Sequence, residues 1–239
     1  MITVGLPVYN QTAVLPVALL GLSNQELAGE WELIVSSEDD VWDVVSEYEH
    51  RLFAAGCVRV TEDRLRGWIP LPQKWRRIGQ MMHHNSVGMF LQDADCYSHP
   101  HRIRQSREAM ENGYDWYHEQ KGYFYDIHSG QIVLFDGSTN RKGKTCLNMC
   151  IAANHARKLP VSNARRGVNG WMFKTIENPR VYLYKKIPKG IDFHGANTIS
   201  FKRGGMIKKL RHPFIKTDVK VNKILDNWNE VKILLITCL

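Results

Sequence analysis

The sequence has no CxxC pair, and its five cysteines are an odd number. A structural zinc site built on paired thiolates is therefore excluded. Cys146 and Cys150 stand four residues apart, a spacing that suits one face of a helix. Reduced thiols in a cytoplasmic setting are the expectation. No run of ~18 apolar residues occurs, so no transmembrane helix is expected. The start, Met1-Ile2-Thr3-Val4, has no basic segment and no long apolar one, so no signal peptide is expected there. Internal repeats and low-complexity tracts are also missing. After the first apolar run comes Pro7-Val8-Tyr9-Asn10-Gln11-Thr12, not a glycine-rich phosphate loop. That speaks against a nucleotidyltransferase site.

What is present describes an ordinary globular chain. Hydrophobic residues make up 44% and charged residues 23% of 239 residues, enough for one large domain or two small ones with a sizeable core. Seven tryptophans argue against disorder. The net charge of +8 favours anionic partners such as nucleotide phosphates, nucleic acid or an anionic membrane surface. The excess is uneven: residues 1–50 are acidic on balance, and residues 202–224 are rich in Lys and Arg.

Ile2–Val8 reads as a buried strand, and Ala13–Leu22 as a helix capped by Thr12. Trp31–Val35 is a second strand. Asp39 or Asp40 caps a helix over Val41–Ala55, and Val58–Thr61 is a third strand. Strand and helix alternating at this spacing predict a parallel sheet with crossover helices. Lys74–His84 reads as a helix carrying Lys74, Arg76 and Arg77, followed by a strand at Val87–Leu91 and a helix from Arg102. Beyond it, Tyr123–Tyr125 and Gln131–Phe135 flank His128-Ser129-Gly130 as a hairpin. Residues 136–144 form a polar loop. Arg165–Ile176 and Asp218–Ile236 read as helices, and Val181–Tyr184 as a strand.

The strand at Val87–Leu91 ends in Gln92-Asp93-Ala94-Asp95, two carboxylates one residue apart. Open α/β sheets place ligands outside the carboxyl ends of their strands. Two acids there point to a metal, a polar ligand or proton transfer. His83-His84, His99 and His101 flank the acids, but His99-Pro100-His101 fits a helix-entry turn better than a metal site.

Four motifs in order resemble those of the family-two nucleotide-sugar glycosyltransferases. Val4–Asn10 is similar to the family's opening strand and PxYN turn. Leu22-Ser23-Asn24-Gln25 resembles its helix end, and Glu32–Glu38 its strand ending in two acids. Phe90–Asp95 with Pro100 and Ile103 resembles its LDADD…P..L segment. The match covers about residues 2–105. It implies a GT-A fold: α/β, Rossmann-like, three layers, with a mostly parallel central sheet, helices on both faces and a hairpin on the acceptor side. Residues 1–105 would be the nucleotide-sugar-binding half of a single domain, and residues 106–239 the acceptor-binding half with a basic C-terminal region.

The resemblance also implies roles. Asp93 and Asp95, a DxD motif, would hold Mn²⁺ or Mg²⁺ with His194, and Asp93 would meet the donor ribose. Pro7, Tyr9 and Glu38 would line the nucleobase pocket of a nucleotide-sugar donor, a UDP-sugar first. Ser37 replaces the first of the family's acid pair, which leaves the base preference open. Lys74, Arg76 and Arg77 would reach the diphosphate. Inverting hexosyltransferases of the family take a general base from an acid pair ahead of a Trp helix. Here Val168-Asn169-Gly170-Trp171 carries none, and Asn cannot accept the proton. Glu177 is the stand-in, with Asp192, Asp115 and Glu119 as alternatives.

The basic stretches 141–144 and 202–212, near Trp116, Tyr117 and Tyr123, suit a phosphate backbone and a flipped base. A hydroxymethylated base in DNA is one expected acceptor, as in viral DNA-modifying glycosyltransferases. A surface or capsular glycan, or a catalytically inactive nucleic-acid-binding protein on the same scaffold, are the alternatives.

Overall fold

The computed structural model describes residues 1–126, 130–137, 147–164, 168–186, 191–194, 214–217, 219–220, 224–225 and 227–236. Its first half is a run of strand–helix units: β1 (Ile2–Val8), α1 (Leu15–Ser23), β2 (Trp31–Ser37), α2 (Trp42–Ala54), β3 (Cys57–Arg64), α3 (Leu71–Met81) and β4 (Gly88–Leu91). Next come β5 (Cys96–Tyr97), α4 (Arg102–Glu111), β6 (Trp116–Glu119), and a hairpin of β7 (Lys121–Asp126) and β8 (Gln131–Asp136). Then follow β9 (Leu147–Ala152), α5 (Ala153–Ala156), α6 (Val168–Lys174), β10 (Val181–Tyr184), β11 (Ile191–His194), β12 (Phe214–Lys216) and α7 (Trp228–Ile236).

Seven strands form the central sheet in the order β10-β6-β9-β4-β1-β2-β3. Only β9 runs against the others: β4 and β6 both pair with it antiparallel. All the rest therefore share one direction and one carboxyl edge. A second sheet, β12-β8-β7-β11-β5, carries the hairpin.

The pleat explains the three layers. Ile2, Val4, Leu6 and Val8 of β1, with Leu33 and Val35 of β2 and Phe90 of β4, face Leu15, Leu19, Val45, Leu52 and Ile103 of α1, α2 and α4. The opposite face presents Ile34, Met89, Leu91, Trp116 and Ile151 to Trp75 and Ile78 of α3, Ala153 of α5 and Met172 of α6. Two glycines allow close approach. A Cβ on Gly5 would come within 2.7 Å of the Trp75 ring, and one on Gly21 within 2.7 Å of the Ser98 backbone nitrogen. Gly21 thereby lets α1 lie directly against β5.

Several expected boundaries move. The anticipated caps are not used: Val14 and Val41 precede α1 and α2 without a side-chain cap bond. Pro16 starts α1 instead, its fixed φ suiting the first turn, and Asp39 accepts from the Asn10 backbone N–H at 2.6 Å. Cys150 stands on a strand, not a helix face. Of the helix expected over Asp218–Ile236, the described residues are helical from Trp228. Residues 138–146, including the basic run 141–144, lie outside the described residues, as do 195–213. Among the described residues, no helix is long and apolar enough to cross a membrane.

Candidate active site at the carboxyl edge

The parallel strands deliver their C-terminal residues to one edge. Tyr9 follows β1, Glu38 follows β2, Asp93 and Asp95 follow β4, and Glu119 ends β6.

At the β1–β2 end, Lys74 and Glu38 meet. Lys74 is buried, and its Nζ donates to the Val8 carbonyl at 2.7 Å and to the Glu38 carboxylate. Glu38 also accepts from the Ile69 backbone N–H at 2.8 Å, which ties the loop before α3 to this corner. Burial pulls the Lys74 ammonium below its ordinary range, opposed by Glu38. The Lys74 Nζ also lies 5.5 Å from the centre of the Tyr9 ring. That ring is 46% exposed, and Trp68 on the adjoining loop is 53% exposed. An exposed aromatic face beside a hydrogen-bonded ion pair can take a nucleobase by stacking. Pro7 lies within β1 one residue from this corner. Arg77 is placed differently: its guanidinium is held by Asp63 through two bonds, one of them Nε to Oδ2 at 2.9 Å. The expected diphosphate contact from Arg77 gives way to an ion pair with the edge strand β3.

At the β4 end, the acid turn is clamped from behind. Gln92 is fully buried, and its Nε2 donates to the carbonyls of Asp93 at 2.8 Å and Cys96 at 2.7 Å. Ser98 Oγ donates to Gln92 Oε1 at 2.5 Å. Arg102 Nη1 donates to Ser98 Oγ at 2.9 Å, and its Nη2 to the Leu91 carbonyl at 3.2 Å. The guanidinium stacks 4.1 Å from the centre of the Phe90 ring. The Asp93 side chain itself is solvent-accessible. Protein surrounding this cleft raises its carboxyl above the usual range, and the charge of Arg102 offsets part of the rise. Among the described residues, no group donates a hydrogen bond to the Asp93 carboxylate. A carboxylate that is costly to ionise, accessible and without a donor is chemically suited to a hard cation, which prefers oxygen ligands. Asp95, half-buried two residues on, supplies the second carboxylate.

The second sheet brings further residues alongside. β11 pairs antiparallel with β5, Ile191 opposite Tyr97 and Asp192 opposite Cys96. On its other side β11 runs parallel to β7, with Phe193 opposite Tyr125 and His194 opposite Asp126. The side chains of Asp192 and His194 lie outside the described residues.

The other proton acceptors separate cleanly. Asp115 precedes β6 and so lies at the amino edge, where it meets His155 at 3.0 Å and the Arg180 N–H at 2.9 Å. Glu177 lies in the turn between α6 and the amino end of β10, three residues before Arg180. Its expected role as base is corrected by this placement, on the edge opposite Asp93. Glu119 is at the right edge but fully buried. Burial pushes its carboxyl up, yet His99, the charge of Arg102 and the hydrogen bond from Asn148 outweigh that and hold it low. Among the described residues, no cluster of three or more His, Cys, Asp or Glu is grouped to hold a metal.

No family model matches the sequence, and no curated protein matches it. Solved structures do match. S. aureus TarS 1–349 in complex with UDP aligns with a TM-score of 0.60 at 11% identity, covering 82% of this chain and 61% of that one. Full S. aureus TarS aligns at 0.60 and 11% identity over 98% of this chain and 42% of its own. The chain thus spans under two thirds of both TarS structures. Glucosyl-3-phosphoglycerate synthase from Mycobacterium tuberculosis, in complex with Mn²⁺, UDP and glucosyl-3-phosphoglycerate, aligns at 0.52 and 15% identity over 88% and 77%. At such identities the likeness speaks for architecture. With a mostly parallel sheet, helices on both faces, acids at the carboxyl end of β4 and a second sheet bearing a hairpin, the chain has the GT-A glycosyltransferase fold.

Proposed function

We propose that the protein is a metal-dependent glycosyltransferase moving a sugar from a nucleotide-sugar donor, a UDP-sugar first, to an acceptor hydroxyl. The observation that carries this reading is the convergence at one sheet edge of an exposed Tyr9 ring beside the Lys74–Glu38 pair and an exposed Asp93 with no hydrogen-bond donor among the described residues. The fold is shared with structures holding UDP, UDP-GlcNAc and Mn²⁺, which supports the donor class.

In this reading Tyr9 stacks on the base, and Pro7 and the Lys74–Glu38 pair bound its edge. Asp93 and Asp95 hold Mn²⁺ or Mg²⁺, with His194 as a further ligand. The cation, when bound, supplies Lewis-acid stabilisation of charge developing on the diphosphate. The bond between the anomeric carbon and the diphosphate oxygen breaks, and the diphosphate leaves with the electron pair. The acceptor oxygen forms the new bond and releases its proton to a base. Asp192 is the acid whose backbone the fold brings beside the acid turn, so we assign it that role in an inverting reaction. Residues 1–105 supply the donor side and residues 106–239 the acceptor side. A hydroxymethylated DNA base is the acceptor suggested by the basic runs, and a glycan hydroxyl is the competing one.

The test is hydrolysis or transfer of UDP-sugars with Mn²⁺. Activity is expected in the wild type and a loss on the order of 10³-fold in Asp95→Ala, the scale of losing one preorganised electrostatic contact. Metal-independent turnover, or equal turnover by the variant, overturns the reading. Duplex DNA containing hydroxymethylated bases, assayed beside glycan acceptors, decides the acceptor class.

A further inference from the structure

The C-terminal ends of α1 and α2 border a cavity of about 420 Å³, within the roughly 300–1,000 Å³ of ligand pockets. Tyr97 and Pro100 close one side of it, and Ile224, Leu225 and Asn227, ahead of α7, close another. Tyr9, Glu38, Lys74, Asp93 and Asp95 are not among the described residues that line it, so it stands apart from the nucleotide-sugar site.

Its walls are fixed by hydrogen bonds that leave little to rearrange. Gln25 is buried, and its Nε2 donates to the carbonyls of Gly21 at 3.0 Å and His99 at 2.9 Å. Its Oε1 accepts from the Ile103 N–H at 3.0 Å. The Glu26 N–H donates to the Pro100 carbonyl at 2.7 Å, and Asn24 Nδ2 to the Tyr97 hydroxyl at 2.9 Å. Ile224 and Leu225 are buried in one cluster with Tyr97, Val17 and Leu20.

Three polar groups on this frame stay unmatched among the described residues. Asn227 Nδ2 is buried without a hydrogen-bond partner, which is costly for an amide donor. Asn24 commits its Nδ2 to Tyr97 and keeps its Oδ1 as an acceptor. The Glu26 side chain is 63% exposed, and its carboxylate stands 3.7 Å from His101 Nδ1, beyond hydrogen-bond distance. No Lys, Arg or His is among the described lining residues.

That set of groups decides between ligand classes. An anion would face the Glu26 carboxylate with no lining cation to meet it. An amine cation would use the acceptors alone and leave Asn227 Nδ2 buried and unmatched. A hydroxyl donates and accepts at once. Neighbouring hydroxyls of a sugar can donate to Asn24 Oδ1 and Glu26 while another sugar oxygen accepts from Asn227 Nδ2. The C–H face of the ring can then rest on Ala54, Ile224 and Leu225. We propose that this cavity binds a neutral sugar unit, either free or as one link of a glycan chain.

Ligand-observed saturation-transfer NMR on the whole protein tests it, with glucose, N-acetylglucosamine and the linear tetramer of each as probes. At least one of these sugars is expected to bind saturably, with a Kd on the order of 1 mM. Asn227→Leu keeps the side-chain size and removes the donor, and is expected to weaken that binding about ten-fold. Ala54 is exposed, so Ala54→Trp narrows the cavity without entering the core. It is expected to weaken binding to a similar degree, and it decides alone should N227L not fold. A tetramer that binds more tightly than its monomer assigns the cavity to a glycan chain, and equal affinities assign it to a single sugar; both support the site. No saturable binding by any of these sugars, or displacement of the bound sugar by spermidine or inorganic phosphate, overturns the proposal. So does undiminished binding in a folded variant, which would place the sugar elsewhere on the protein.

Discussion

The two edges of the central sheet use the same residue types to different ends. At the amino edge Glu32 and Asp115 are saturated. Glu32 is fully buried and accepts from Thr3 Oγ1 at 2.5 Å, the His83 N–H at 2.7 Å and the Arg59 guanidinium. Asp115 is shared between His155 and Arg180, and Arg157 donates to the carbonyls of His83, His84 and Ser86. At the carboxyl edge Glu38 and Lys74 form a pair with a face left toward Tyr9, and Asp93 has no donor among the described residues. A satisfied buried acid holds a fold together. An accessible acid kept costly to ionise awaits a partner from outside. Strand direction alone decides which edge an acid joins.

Substitutions that exchange the behaviour of the edges sharpen this contrast. The largest stability effect is expected at the amino edge. Glu32→Ala strands the His83 N–H and the Arg59 Nε, and should cost about 3 kcal/mol in urea denaturation. UDP-sugar affinity per folded molecule should not change. A matching loss of affinity would erase the distinction between the edges. At the carboxyl edge, Tyr9→Ala should leave stability nearly unaltered and weaken UDP binding about ten-fold by calorimetry, the scale of one stacking contact. Unchanged affinity would remove Tyr9 from the nucleobase site.

The smallest effect concerns Asp93 without metal. Its folded-state pKa is raised, so the ionised carboxylate costs stability at neutral pH. Asp93→Asn should therefore raise the melting temperature of the metal-free protein at pH 7. That advantage should fade as pH falls through the carboxylate range, where the wild-type acid takes up its proton and the cost disappears. Asp63 and Asp115, with lowered pKa values, contribute in the opposite sense: their stabilisation is present above the ordinary carboxylate range and lost on acidification. A metal-free D93N less stable than wild type would contradict the picture of a strained, waiting acid.

Much of the first half was legible in the sequence. Ile2–Val8 and Trp31–Val35 are short apolar runs with turn residues behind them, and the strands they form end at the edge where the site forms. The acid turn was legible for the same reason. Lys74 shows what local pattern conceals: within Lys74-Trp75-Arg76-Arg77 it reads as part of a basic helix face, yet it is buried because its partner Glu38 arrives from 36 residues away. Leu147–Ala152 lacks the alternation of a strand because Met149, Cys150 and Ile151 are buried against both helical layers. Glu177 and Asp115 were plausible bases by type, but type does not say which edge a turn reaches. Glu119 carried no signal of its network, since Asn148 joins it through a strand pairing distant in sequence.

The central claim is that the carboxyl edge binds a nucleotide sugar through a divalent cation. A thermal-shift titration of wild type and Asp93→Asn with UDP-sugars, with and without Mn²⁺, tests it most directly. A ligand that binds only the folded state, at a hundred times its Kd, adds about 2.7 kcal/mol. The account predicts that Mn²⁺ and a UDP-sugar together raise the wild-type melting temperature by several degrees and leave D93N unmoved. A wild type unmoved by any nucleotide sugar with Mn²⁺, or a D93N shift equal to that of wild type, would contradict it.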